Sequence, residues 1–205
     1  MKTAIVTGAS GFVGSVLTHE LTSNGYQVLA IGRKQLDALS DYRKDLVSGS
    51  TYSAVDLTSP GALALVVDEF LSQATGRLDY VFHLAWYGKT RLSDLDLEAQ
   101  FANVPLTVGL YELAAKYSAS RFIYCGSMEE AFAEAYTKLE HRTEIKANRH
   151  VVYAMAKLAA RSALKLAWQR DWPDLILMTN SHVIGIEDDK DSFLQVATSK
   201  LMREE

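Results

Sequence analysis

The chain has 205 residues, nearly half of them hydrophobic, with a formal net charge of -4. That length holds one sizeable α/β domain, or one domain and part of a second. The negative balance argues against a general nucleic-acid binder, which needs a basic face, and no apolar run reaches the roughly 18–20 residues of a membrane span.

Lys2 and a short apolar stretch open the chain and run straight into glycines with no processing site. Ala4–Thr7 therefore reads as a strand, not a signal peptide. Further strands are expected at Gln27–Ile31, Thr51–Val55, Tyr80–Ala85, Phe122–Cys125 and Leu175–Met178, several of them apolar almost throughout, as covered parallel strands are. Helices are expected over Val13–Asn24, Gly61–Ala74, Leu95–Tyr117 and Val151–Arg170. Asn24-Gly25 stops the first of these, and Ser59-Pro60 sets a capping side chain before a proline at the second. Pro105 kinks or splits the third. The polar, helix-prone stretch Glu129–Arg149 reads as an insertion over the sheet's edge. This βα alternation predicts a doubly wound parallel sheet.

Cys125 is the single cysteine. It makes no internal disulfide, reads as a small buried strand residue, and points to a reducing cytoplasm. The histidines show no metal-ligand spacing, so no metal site is expected.

The first turn carries the chemistry: Thr7-Gly8-Ala9-Ser10-Gly11-Phe12-Val13-Gly14, between a strand and a helix. Gly8 allows a tight reversal, Gly11 lets backbone amides approach a pyrophosphate, and Gly14 lets the helix pack close to the strand. Free N–H groups and the positive helix end then meet the phosphates, as in a Rossmann dinucleotide site. After the second strand come Gly32, Arg33 and Lys34, where an NAD-selective protein places an acid on the ribose hydroxyl. Arg33 suits a 2′-phosphate, so NADP(H) is favoured with NAD(H) as the alternative.

Tyr153 and Lys157 stand four apart on one helix face, after the strand that runs to Ser127. A nearby ammonium lowers a tyrosine's pKa toward use as a general acid or base.

The TGxxGxxG spacing with Ser127, Tyr153 and Lys157 resembles the short-chain dehydrogenase/reductase superfamily. His83-Leu84-Ala85, and Asn103 followed by Thr107, Leu110 and Ala114, are similar to the extended branch of NAD(P)-dependent sugar epimerases and dehydratases. The resemblance implies a cofactor site of Gly8, Ser10, Gly11, Phe12, Val13, Gly14, Arg33, Asp56, Leu57, Leu84, Ala85 and Asn103, with Tyr153 and Lys157. Asp56 would touch the adenine amino group and Lys157 the nicotinamide ribose. Ser127 would bind the substrate oxygen and Tyr153 would move its proton. His83 reads equally as a core histidine or a cofactor contact.

Three departures narrow this. Thr179 and His182 stand where the family often has Arg and Asn, and no proline follows Gly185. Met128 replaces the acid that a 4,6-dehydratase needs beside Glu129, which ranks dehydration below epimerisation and ketone reduction. His83 to Thr90 and the Arg33-Lys34 pair are similar to nucleotide-sugar 4-ketoreductases. Family members also continue past Glu205, so residues 1–186 are expected to form the cofactor domain. Residues 187–205 would begin a largely missing substrate lobe, with a first helix at Asp191–Glu205. The implied function is hydride transfer at a secondary alcohol or ketone of a nucleotide sugar, with a non-catalytic dinucleotide sensor as the alternative. A homodimer through Leu95–Tyr117 and Val151–Arg170 is expected, with Tyr111, Tyr117 and Trp168 at its interface or in the core.

Overall fold

Ile5 and Val6 show the architecture in miniature: neighbours in one strand, they bury against opposite faces of the sheet. The computed structural model describes residues 1–74, 76–88, 93–140, 142–143, 149–181, 183 and 185. In chain order the elements are β1 (Thr3–Thr7), α1 (Phe12–Ser23), β2 (Gln27–Gly32), α2 (Asp41–Val47), β3 (Thr51–Ala54), α3 (Pro60–Gln73), β4 (Tyr80–His83), α4 (Leu97–Phe101), α5 (Asn103–Lys116), β5 (Arg121–Ser127), α6 (Ala133–Thr137), α7 (Val151–Ala167) and β6 (Asp174–Asn180). The strands form one parallel sheet in the order β3-β2-β1-β4-β5-β6, so the doubly wound expectation is met.

Both faces are covered, which is why β1 and β2 are buried almost throughout. One face sets Ile5, Leu29, Ile31, Val81, Phe122 and Tyr124 against Leu63, Val67 and Phe70 of α3, Leu110 and Tyr111 of α5, and Ala160 and Leu164 of α7. The other packs Ala4, Val6, Val28 and Ala30 against Leu17 and Leu21 of α1. The edge strand β6 packs the half-buried Leu175 and Leu177 against the first layer and leaves Ile176 and Met178 exposed.

Asn24 and Gly25, the latter at φ +78°, end α1 as expected. Pro60 opens α3, but the Ser59 side chain makes no capping bond. The long Leu95–Tyr117 element is broken in two at Ala102, with Pro105 in the first turn of α5, where its missing N–H costs nothing. The expected insertion after β5 is a 3₁₀ turn, Met128–Phe132, followed by the short α6. The sequence reading has no counterpart to α2. Tyr111 is a core residue: it is fully buried and its hydroxyl donates to Pro173 O at 2.8 Å, which removes it from the interface set. Tyr117 donates to Asp68 of α3 at 2.7 Å, while Trp168 is exposed. The expected helix at Asp191–Glu205, the 187–205 lobe and His182 lie outside the described residues. Among those residues no helix is long and apolar enough to cross a membrane.

Candidate active site

The strand order reverses between β1 and β4, and connections leaving their carboxyl ends go to opposite faces. A cleft of about 500 Å³ opens there. Its walls include Gly8, Ser10, Gly11, Phe12, Val13, Gly14, Arg33, Asp56, Leu57, Leu84, Ala85, Asn103 and Tyr153, so the sequence-predicted cofactor residues converge apart from Lys157.

The glycine turn is built by crowding. Gly8 has φ +77°, and a Cβ there would lie 2.8 Å from Ala85 N. A Cβ on Gly14 would land on the Gly8 carbonyl. No side chain caps α1 and no acid sits in its first turn, so its amide N–H groups and positive end remain available at the cleft wall. These residues fit a dinucleotide's phosphates.

At the outer end, Gly32 lies close under the side chains of Ser10 and Tyr52, so that a Cβ there would displace the Ser10 Oγ and the Tyr52 hydroxyl. The exposed Arg33 guanidinium lies 5.4 Å from the Tyr87 ring centroid. Arg43 of α2, not anticipated from sequence, donates to Ser10 O at 2.9 Å. Asp56 accepts from Thr58 N at 2.9 Å and Thr58 Oγ1 at 2.8 Å, and these bonds hold its carboxyl below the usual range.

At the inner end, β5 delivers Ser127 and α7 delivers Tyr153 and Lys157. The Ser127 side chain faces the Tyr153 phenol and lowers its pKa, and Ser127 Oγ accepts from Glu129 N at 3.2 Å. Lys157 Nζ donates to Cys125 O at 2.9 Å and lies behind the cleft wall, only 5% exposed. Burial pushes the Lys157 ammonium down to about 8. The sequence expectation of an acidified Tyr153 is not met. Burial pushes that phenol up to about 12, Ser127 opposing, with Lys157 Nζ 5.9 Å from its ring centroid. Cys125 is half-buried, lines the cleft and takes a bond from Asn180 Nδ2 at 2.9 Å; burial raises its thiol pKa, which disfavours the thiolate.

His83 resolves as a core histidine. It is fully buried between Thr7 Oγ1 at 2.9 Å and Thr107 Oγ1 at 3.0 Å, and burial holds it neutral. Asn103 brackets Tyr87, accepting from its N–H at 2.6 Å and donating to its carbonyl at 2.9 Å. Two residues unassigned from sequence, Glu130 and Arg161, form an ion pair beneath Ser127. Glu130 was legible as the fourth position of a Ser-x-x-Glu capping box, which the structure contains. Arg161 of α7 also donates to Thr179 Oγ1, at the end of β6, at 3.0 Å.

Fold and topology define a doubly wound α/β protein of the Rossmann type. The chain belongs to the NAD dependent epimerase/dehydratase family, whose profile matches residues 4–203. It is 29% identical over 199 residues to dTDP-6-deoxy-L-talose 4-dehydrogenase (NAD(P)(+)) of Kitasatospora kifunensis, covering 96% of this chain and 57% of that protein. It is 27% identical over 145 residues to a decarboxylating sterol-4-alpha-carboxylate 3-dehydrogenase of Dictyostelium discoideum, covering 70% and 40%. Among solved structures, UDP-glucose 4-epimerase of Thermotoga maritima, with UDP-glucose, superposes with a TM-score of 0.72 at 20% identity over 99% of this chain and 64% of that one. UDP-glucuronic acid 4-epimerase of Bacillus cereus, with NAD, gives 0.67 at 18% identity over 100% and 63%. The chain thus spans less than two thirds of the length of each of these relatives.

Proposed function

We propose that this chain is the cofactor-binding and catalytic part of an NADP(H)-preferring oxidoreductase. It moves a hydride between nicotinamide C4 and a secondary alcohol or ketone carbon of a nucleotide sugar, as a 4-ketoreductase or epimerase. The observation that carries the reading is the grouping of Ser127 with Tyr153, and of Lys157 one turn further along α7, at the inner end of the glycine-turn cleft that Tyr153 lines. When bound, the nicotinamide supplies or accepts the hydride. Ser127 Oγ then orients the substrate oxygen, and Tyr153 Oη gives that oxygen a proton in reduction or takes it in oxidation. A phenol held up to about 12 is fully protonated at neutral pH, which suits the reductive direction. Lys157 would hold the nicotinamide ribose once its ammonium turned from Cys125 O toward the cleft. Met128 offers no acid for dehydration.

The NADP(H) preference rests on Gly32 and Arg33. Gly32 supplies no acid for a ribose 2′-hydroxyl, while Arg33 presents a planar cation at the adenosine end. The sugar class rests on the talose 4-dehydrogenase likeness.

Titration with NADPH and NADH, followed by nucleotide fluorescence, tests the cofactor half. NADPH should bind more tightly, by about tenfold or more, and Arg33→Ala should erase the difference. NADH preference sinks the phosphate assignment. Tyr153→Phe should keep NADPH affinity and slow reduction of a nucleotide 4-keto sugar by about 100-fold or more. Undiminished turnover in that variant refutes the mechanism, and binding without any turnover favours a dinucleotide sensor.

A further inference from the structure

The segment after β4 is pinned to α4 and α5. Besides the Asn103 bracket on Tyr87, the Trp86 indole N–H donates to Gln100 Oε1 at 2.8 Å. Gln100 is fully buried and passes its own amide hydrogen to Asp94 Oδ2 at 3.2 Å. Held by that relay, the indole lies on the reacting groups: Lys157 Nζ is 3.9 Å from its ring centroid, and the Tyr153 ring meets it edge-on at 5.9 Å and 73°.

We propose that Trp86 is a positioning residue for the Lys157–Tyr153 pair, its indole face holding the Lys157 ammonium charged and in place beside Tyr153. The proposal builds on the reading of these two residues as catalytic machinery.

The electrostatic surroundings call for such a partner. An ammonium taken out of water needs compensation, and Cys125 O supplies one hydrogen bond. The groups facing it from the packed elements are Cys125 and Tyr124 of β5, His83 of β4, Glu130 after β5, and Tyr153 and Arg161 of its own helix. Burial keeps the Cys125, Tyr124, Tyr153 and His83 side chains neutral. Glu130, the one anion in this group, is engaged by the guanidinium of Arg161, itself a competing cation. What remains is aromatic: the Tyr124 ring at 5.0 Å and, nearer, Trp86, whose indole is the strongest cation–π acceptor among the side chains.

The test follows the proton on Lys157 itself, in the full 205-residue chain. The 13Cε resonance, assigned by its loss in Lys157→Met, is titrated in wild type, Trp86→Phe and Trp86→Leu. The midpoint should fall by about 0.4–1.5 pH units in Trp86→Leu, with Trp86→Phe between the two. An unchanged or raised midpoint in both variants overturns the proposal. Should the leucine chain fail to melt cooperatively, wild type grown with 5-fluoro- and then 5,6-difluorotryptophan decides. Stepwise falls as fluorine drains the ring support the proposal, and a constant midpoint refutes it. NADPH affinity on the same samples separates the two readings. Wild type that binds no NADPH, with the midpoint falling as the Trp86 ring is altered, sinks the proposed function alone. Intact NADPH affinity with a constant midpoint sinks the Trp86 role alone.

Discussion

Removing the Glu130 carboxylate should loosen the ends of β5 and β6 together. Glu130 Oε1 accepts from Ser127 N at 2.8 Å, and its other oxygen takes the Arg161 Nε–H. Arg161 in turn donates to Met178 O at 2.7 Å and to Thr179 Oγ1 on β6. The side chains are 6% and 16% exposed, so water does little to replace a lost partner. Breaking a buried pair from one side costs about 3–5 kcal/mol. An orphaned amide N–H accounts for about 1–3 kcal/mol on its own. Glu130→Ala, which does both, should therefore lose about 3–5 kcal/mol, the shared desolvation preventing simple addition. Glu130→Gln keeps an acceptor for Ser127 N and should lose about 1–3 kcal/mol less than alanine. The double change Glu130→Leu with Arg161→Met removes both charges and should be milder than either single change. Urea unfolding followed by far-UV circular dichroism reads these differences, and for a chain of this size they correspond to a drop in Tm of about 2–4 °C per kcal/mol. A Glu130→Ala chain within 1 kcal/mol of wild type, at unchanged urea slope, would show that the pair does not hold the strand ends.

His83 should shape the acid limb of stability. Its folded pKa is pushed down to about 3 from 6.5, so the unfolded chain takes up the proton first and stability falls as the pH drops through that window. The contribution is at most about 1.4 kcal/mol per pH unit. His83→Gln should flatten the acid limb in urea titrations between about pH 4 and 6, and an equally steep limb would contradict the assignment. Two glycines should behave oppositely. Gly14→Ala drives a Cβ onto the Gly8 carbonyl, and should cost about 1–3 kcal/mol and abolish measurable NADPH binding. Gly109→Ala, in α5 with nothing within 4 Å, should add about 0.5–1 kcal/mol. Thermal melts of the two variants moving in the same direction would refute the packing argument.

Much of the fold was legible because its signals are local. A strand that runs into three spaced glycines and then a helix is written in consecutive residues, and the apolar runs of a two-sided sheet need no partner to be recognised. The i, i+4 spacing of Tyr153 and Lys157 is likewise a property of one helix. The short α2 left no such mark: Asp41–Val47 is polar, too brief to show a period, and Ser40 caps it at 3.4 Å without an apolar stripe to announce it. Tyr111 looked the same as an interface aromatic until Pro173 and Phe122 closed around it.

By itself, then, the sequence determined the strand–turn–helix unit with its three spaced glycines, the βα alternation and the one-face spacing of Tyr153 and Lys157. The tertiary structure decided their state. It buried Tyr153 and Lys157 so that their proton affinities moved apart from ordinary values, tied Glu130 to Arg161 beneath Ser127, and laid Trp86 on the ammonium. Desolvation and charge pairing depend on what surrounds a group in three dimensions, and those neighbours come from elements far apart along the chain.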